Sequence, residues 1–325
     1  MTSRLPLGVH AVDRLMKANP ALSVANMTAE QLARVQATVI PDGGLASLVL
    51  GRLQRGVSVE TTAYDAPHGP VPLRVYTPTR RGGPRPVVLN IHGGGFALGS
   101  ARQCDWSSSV VARDLDAVVV SVDYRLAPTH RFPAAVEDCY GALLWVHEHA
   151  SRLGGDPSRI GVMGDSAGGN LAAVVAIMVR EQGGPVLRHQ ALLYPATDLT
   201  DEIRETPAYR RNDHGIVLSH ADLDVFHRHY VTDDLDPYDW RLSPLRAPDL
   251  TGLPPAVVVV AGLDPLHDAG VQYAEALAAA GVPVVVEDFH RMPHGFLSFP
   301  YLSRSARPAM AAVVRSQRAA LGSGF

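Results

Sequence analysis

The chain alternates short, nearly continuous apolar runs with longer stretches whose apolar residues recur at helical spacing. Eight runs read as strands, over residues 57–63, 71–77, 87–91, 117–122, 160–164, 190–194, 256–261 and 283–288. Val257, Val258, Val259 and Val260 are consecutive, as a strand buried on both faces requires. The two runs before residue 80 alternate polar and apolar positions, which predicts an antiparallel hairpin at one edge. Between strands, residues 133–150 place Val136, Tyr140, Leu143 and Leu144 at helical spacing and stop near Gly154 and Gly155. Another helical stretch, 266–280, ends at Gly281, and a third begins at Leu171. The alternation predicts an α/β fold, an eight-stranded and mostly parallel sheet flanked by helices.

Two segments stand outside this rhythm. Residues 1–55 carry Thr28 and Gln31 at capping-box spacing before a helix with Leu32, Val35 and Val39 on one face. Residues 196–253 interrupt the strands and are rich in Asp, Arg and Pro. An interruption of this length in a compact domain points to a functional element. The expected organisation is therefore an N-terminal cap segment over 1–55 and a main domain over 56–325, with 196–253 inserted as a second cap segment. A length of 325 residues alone would suggest two domains; the pattern favours one covered domain.

Composition removes several classes. A hydrophobic content of 46% supports a large core and argues against disorder. A net charge of −3 leaves no electrostatic footprint for nucleic acid. Two cysteines, Cys104 and Cys139, are too few for a disulfide framework or a four-cysteine zinc site, and read as small buried hydrophobes. No apolar run reaches the roughly 18 residues that a bilayer span needs, and the N-terminus lacks a secretory pattern, so a cytoplasmic protein is expected.

The chemistry concentrates in three places. The fifth strand runs into Gly164-Asp165-Ser166-Ala167-Gly168-Gly169 and then a helix, the strand–turn–helix context of a nucleophile elbow. Such a sharp turn crowds the backbone, so glycines flank the serine and lift its hydroxyl to a helix N-terminus that favours negative charge. The third strand ends in His92-Gly93-Gly94-Gly95-Phe96. Glycines there let backbone amides face a ligand, and Gly93, Gly94 and Gly95 with the amide of Ala167 form the expected oxyanion hole. His92, before the glycines, reads as a loop-fixing residue rather than a base. A serine nucleophile needs a base and the base an orienting carboxylate, in chain order Ser, Asp, His. Asp264 and His294 stand just past the seventh and eighth strands, where open sheets gather functional groups. Asp268 is the rival carboxylate, expected to turn away within its helix. The expected triad is thus Ser166, His294 and Asp264. Phe96, Tyr194, Leu266, Phe296 and Leu297 are the candidate pocket residues.

At HGGGFALGS (92–100), DYRLAP (123–128), FPAAVED (132–138), GDSAGGN (164–170) and DPLHD (264–268), the chain resembles the hormone-sensitive-lipase-like branch of α/β-hydrolases, in its GDSAG subgroup. The resemblance covers about residues 87–296. It implies Ser166 as nucleophile, His294 as base, Asp264 as its partner, and oxyanion amides from Gly94, Gly95 and Ala167 with Gly93 supporting the turn. It also implies an N-terminal helical cap. The chain departs from the family at Thr129, where an acidic residue is usual, and at Asp224-Val225-Phe226, where a tryptophan is usual. The second departure bears on pocket shape. The expectation is a serine carboxylesterase for short- to medium-chain acyl esters, needing no cofactor or metal and passing through an acyl-enzyme. Its partner is a small-molecule ester, and an exposed last strand suggests a homodimer. An amidase or deacetylase on the same fold, or a non-catalytic ligand receptor, are the alternatives.

Overall fold

A computed structural model of the protein describes residues 6–19, 23–38 and 49–322. Among them a single eight-stranded sheet runs in the order β1-β2-β4-β3-β5-β6-β7-β8. The strands are β1 (Val57–Ala66), β2 (Gly69–Pro78), β3 (Arg85–Ile91), β4 (Val118–Val122), β5 (Gly155–Asp165), β6 (Leu187–Leu193), β7 (Ala256–Leu263) and β8 (Val284–Pro293). The β1–β2 hairpin is antiparallel and sits at one edge, as its alternating pattern predicts; β2 also pairs antiparallel with β4. From β4 to β8 all neighbours are parallel.

Period-two alternation divides the core between the two faces of the sheet. Val87, Leu89 and Ile91 point into one apolar cluster, with the helices Ala134–His149, Ala167–Glu181 and His267–Ala279. Val88 points into the other, with the helices Leu7–Ala18, Asp105–Leu115 and Ala306–Leu321. All seven residues of β3 and all five of β4 are buried. By contrast β8 is an open edge, where Val285 and Val286 are 49% and 45% exposed.

Two family motifs meet in this core. Arg125, of the first, binds the fully buried Asp138, of the second, through its own backbone amide (2.8 Å) and its guanidinium (Nη2 to Oδ1 2.9 Å).

The two segments outside the strand rhythm touch each other. The capping box of Thr28 and Gln31 opens a helix over Ala29–Ala37, as its spacing predicts. Leu32 is buried there, but Val35 is 44% exposed, so the expected apolar face is narrower than its spacing suggested. Val39 lies outside the described residues. From this segment Ser23 donates to Asp222 (2.5 Å), which also caps the helix His220–Tyr230 of the inserted segment. Gln36 donates to the carbonyls of Ala97 and Ala127, at 2.7 and 2.8 Å. Among the described residues no helix is long and apolar enough to cross a membrane.

Candidate active site

Ser166 stands between β5 and the helix Ala167–Glu181 with φ 56° and ψ −120°, a conformation that L-residues rarely adopt. The turn holds because its flanks are glycines. A Cβ on Gly164 would lie 2.1 Å from the Gly168 carbonyl oxygen, and one on Gly168 2.1 Å from that of Ile91. The Ser166 amide donates to the Leu193 carbonyl (2.8 Å), which ties the elbow to β6.

The structure brings the three separated residues into one relay. His294 follows β8 directly, and its Nε2 lies 2.8 Å from Ser166 Oγ. Its Nδ1 lies 2.7 Å from Oδ2 of Asp264, which is fully buried just past β7. Oδ1 of Asp264 accepts the Leu266 amide at 2.8 Å, so neither oxygen is without a partner. Asp268 is turned away, as expected: it accepts the Ala208 amide (2.8 Å) and contacts His267.

The glycine loop faces the same serine. No hydrogen bond among the described residues occupies the amides of Gly94, Gly95 or Ala167. The Gly93 amide is different. It donates to Oδ1 of Asp165 at 2.9 Å, so its single hydrogen is committed and cannot point at a developing oxyanion. Gly93 therefore belongs to the turn's support and not to the donor set, and the four-residue expectation contracts to three. His92 fixes the loop: it is 1% exposed, stacks on Tyr124 with ring centroids 4.2 Å apart, and contacts the Gly93 carbonyl through Nδ1. Burial holds its pKa below the ordinary histidine value. Burial likewise drives the thiols of Cys104 and Cys139 well above their usual range, which suits buried hydrophobes rather than nucleophiles.

A cavity of about 360 Å³ opens above Ser166 and His294. Phe96 and Leu266 line it, as expected. Tyr194, Phe296 and Leu297 do not, and the physical reason is their position behind the triad. The Tyr194 ring packs on His294 (centroids 5.0 Å, 65°) and on Phe296 (5.8 Å), which is fully buried; Leu297 is 5% exposed in the same cluster. Most of the apolar wall comes instead from the inserted segment, including Leu199, Ile203, Leu218, Leu223, Phe226 and Tyr230. Of these, only Phe226 carried a sequence signal, because it lies where the family's pattern breaks. Its ring covers Gly95 so closely that a Cβ there would fall 2.2 Å from the ring carbons. One helical turn on, Tyr230 stacks on Phe96 with centroids 3.8 Å apart and planes 2° from parallel.

Comparison with known proteins agrees with this geometry. A family model described as the alpha/beta hydrolase fold matches residues 88–298. The chain is 44% identical over 271 residues to the carboxylic ester hydrolase LipN of Mycobacterium tuberculosis, covering 82% of this chain and 71% of that one. It is 36% identical over 246 residues to an arylesterase of Saccharolobus solfataricus, covering 75% and 79%. Among solved structures it is similar to EstE1, a thermostable carboxylesterase from a metagenomic library (TM-score 0.83, 39% identity, 92% of this chain and 99% of that one).

Proposed function

The chain belongs to the α/β-hydrolase fold family, in its hormone-sensitive-lipase-like branch, and we propose that it hydrolyses short- to medium-chain acyl esters as a serine carboxylesterase. The observation that carries the reading is the unbroken relay from Ser166 through His294 to Asp264, at 2.8 and 2.7 Å, beneath a mainly apolar cavity.

In this reading His294 Nε2 accepts the Ser166 proton as Oγ attacks the ester carbonyl. Asp264 accepts the Nδ1 hydrogen, which fixes the tautomer and favours the imidazolium that forms. The amides of Gly94, Gly95 and Ala167 receive the tetrahedral oxyanion, each worth about 3–4 kcal/mol when preorganised. His294 then returns the proton to the departing alcohol, leaving an acyl ester on Ser166. Water, deprotonated by the same imidazole, releases the acid. Nucleophile, base and oxyanion donors all come from the chain, so the chemistry calls for no cofactor or metal.

The segments 1–55 and 196–253 act together as the cap over the main domain of 56–325. This rests on the Ser23–Asp222 bond between them and on the share of the cavity wall that the second supplies. A cavity of about 360 Å³ lies at the small end of ligand sites, which supports modest acyl groups. The open β8 edge supports a homodimer joined through that strand, and the two buried free thiols fit a cytoplasmic location.

A fluorophosphonate probe tests the assignment. Wild type is labelled and Ser166→Ala is not, and activity on aryl esters peaks between acetyl and octanoyl. Equal labelling of both proteins would end the serine reading. A flat response from acetyl to decanoyl would favour a receptor.

A further inference from the structure

Asp165 has no part in the relay, although it adjoins the nucleophile. It lies between two cavities, the main one above Ser166 and a second of about 10 Å³ below it. The second is large enough for about one water molecule. Its lining is mixed: apolar walls from Trp106, Leu193 and Leu297, with Asn90, Gln103, Tyr194, Ser298 and Asp165 itself offering polar partners for a water. Tyr194 is 2% exposed, and its hydroxyl sits beside Ser298 without a well-formed hydrogen bond to it or to any other described residue.

The carboxylate also grips the oxyanion loop. Oδ1 accepts the Gly93 amide at 2.9 Å and faces the Cys104 thiol at 3.8 Å. A Cβ on Gly93 would fall 2.6 Å from Oδ2, so the strand and the carboxylate leave no slack between them.

We propose that Asp165, as a carboxylate, is a positioning residue for the oxyanion amides, joined through one water molecule in the smaller cavity to the Tyr194 hydroxyl. The carboxylate holds Gly93, and Gly93 aims Gly94 and Gly95. Protonation would replace an acceptor with a hydroxyl and weaken the grip on the Gly93 amide. The groups facing Asp165 are the Cys104 thiol, the phenols of Tyr124 and Tyr194, and the His294 imidazole. Only the imidazole can be cationic, and its charge favours the carboxylate. Desolvation outweighs that attraction and the Gly93 bond, and pushes the carboxyl up to about 6. Asp165 thus changes protonation in a range where esterase activity is measurable.

The proposal rests on the triad reading, and pH profiles separate the two. If both His294 and Asp165 must lose a proton, log kcat/KM of wild type climbs the acid limb with a slope approaching two. In Asp165→Asn the limb falls back to a slope of one. Its kcat drops about tenfold, a fraction of the 10²–10³ for losing a donor outright, with little change in KM. Tyr194→Phe keeps the ring on His294 but removes the hydroxyl; its limb keeps the double slope and moves to higher pH. A slope of one in wild type, or an unmoved Tyr194→Phe limb, overturns the proposal, and the second holds even if Asp165→Asn fails to fold. If Ser166→Ala retains activity, the triad reading fails instead. A high-resolution crystal structure provides an independent check: electron density for a water between Tyr194 Oη and the Asp165 carboxylate supports the bridge, and its absence removes it.

Discussion

Gly95→Ala tests whether the helix His220–Tyr230 and the glycine loop are one mechanical unit. Gly95 has φ +59°, where alanine costs about 1–2 kcal/mol. The added methyl would sit 2.2 Å from Cδ1 and Cγ of Phe226. Carbon contacts need about 3.5–4.0 Å, so ring or loop must move by well over 1 Å. The ring can retreat only into the cavity it lines, where it would occupy the space above Ser166. Its helix is capped at Ser219, tied to Ser23 through Asp222, and stacked through Tyr230 on Phe96. Either the ring enters the substrate's space or the loop yields, and an error of about 1 Å at a reacting group costs about 10²-fold. We expect kcat/KM to fall by about 10²–10³, or 3–4 kcal/mol. Phe226→Ala alone leaves the amides in place and changes mainly the acyl-length profile. The double variant should regain at least about tenfold over Gly95→Ala, a coupling above about 1.4 kcal/mol, because only the backbone cost remains. Steady-state kinetics on a homologous series of aryl esters reads all four corners of the cycle. Additive effects, or a Gly95→Ala variant within about fivefold of wild type, would refute the reasoning.

Two further predictions concern stability. Ser166→Gly should unfold at higher urea than Ser166→Ala, by about 1 kcal/mol, because glycine adopts φ 56°, ψ −120° without the strain of about 1–3 kcal/mol that a side chain brings. Equal midpoints would mean that the elbow is unstrained. Arg125→Met leaves the fully buried Asp138 without its guanidinium and should cost about 3 kcal/mol in chemical denaturation. The labelling rate of Ser166 by a fluorophosphonate should stay unchanged, since Arg125 touches no member of the relay; a slowed rate would contradict that separation.

What was legible in the sequence was local. Strands buried on both faces announce themselves as apolar runs, and the elbow's crowding forces glycines at fixed offsets from Ser166. Asp264 and His294 could be placed because chain order and strand ends restrict the candidates. The helix Asp105–Leu115 was harder to see. Two of its inward positions are serines, and Ser108 and Ser109 are fully buried with hydroxyls bonded to Ser121 and to the Trp106 carbonyl. The pocket wall was illegible for a different reason. Its residues come from a segment whose path over the sheet is set by tertiary contacts, so nearness in sequence to a motif misled at Tyr194, Phe296 and Leu297. For Gly93 the sequence offered two places, in the oxyanion hole beside its glycine neighbours or, by the resemblance, in support of the turn. Its amide bond to Asp165, 72 positions along the chain, decides for the turn.

These long-range contacts converge on one short loop. Asp165, from the elbow, holds Gly93; Phe226, from the inserted segment, covers Gly95; and Gln36, from the N-terminal segment, holds the Ala97 carbonyl. Contacts from the elbow, the inserted segment and the N-terminal segment thus all bear on the loop that carries the oxyanion amides in the proposed mechanism. If the segments only screened the pocket, changes in them would alter KM and acyl preference and leave kcat alone. With the loop held from three sides, removing the Gln36 amide should lower kcat as well. The backbone geometry of the loop then depends in part on contacts outside it: losing the Gln36 or Asp165 hold changes rate, whereas trimming Phe226 changes mainly acyl preference.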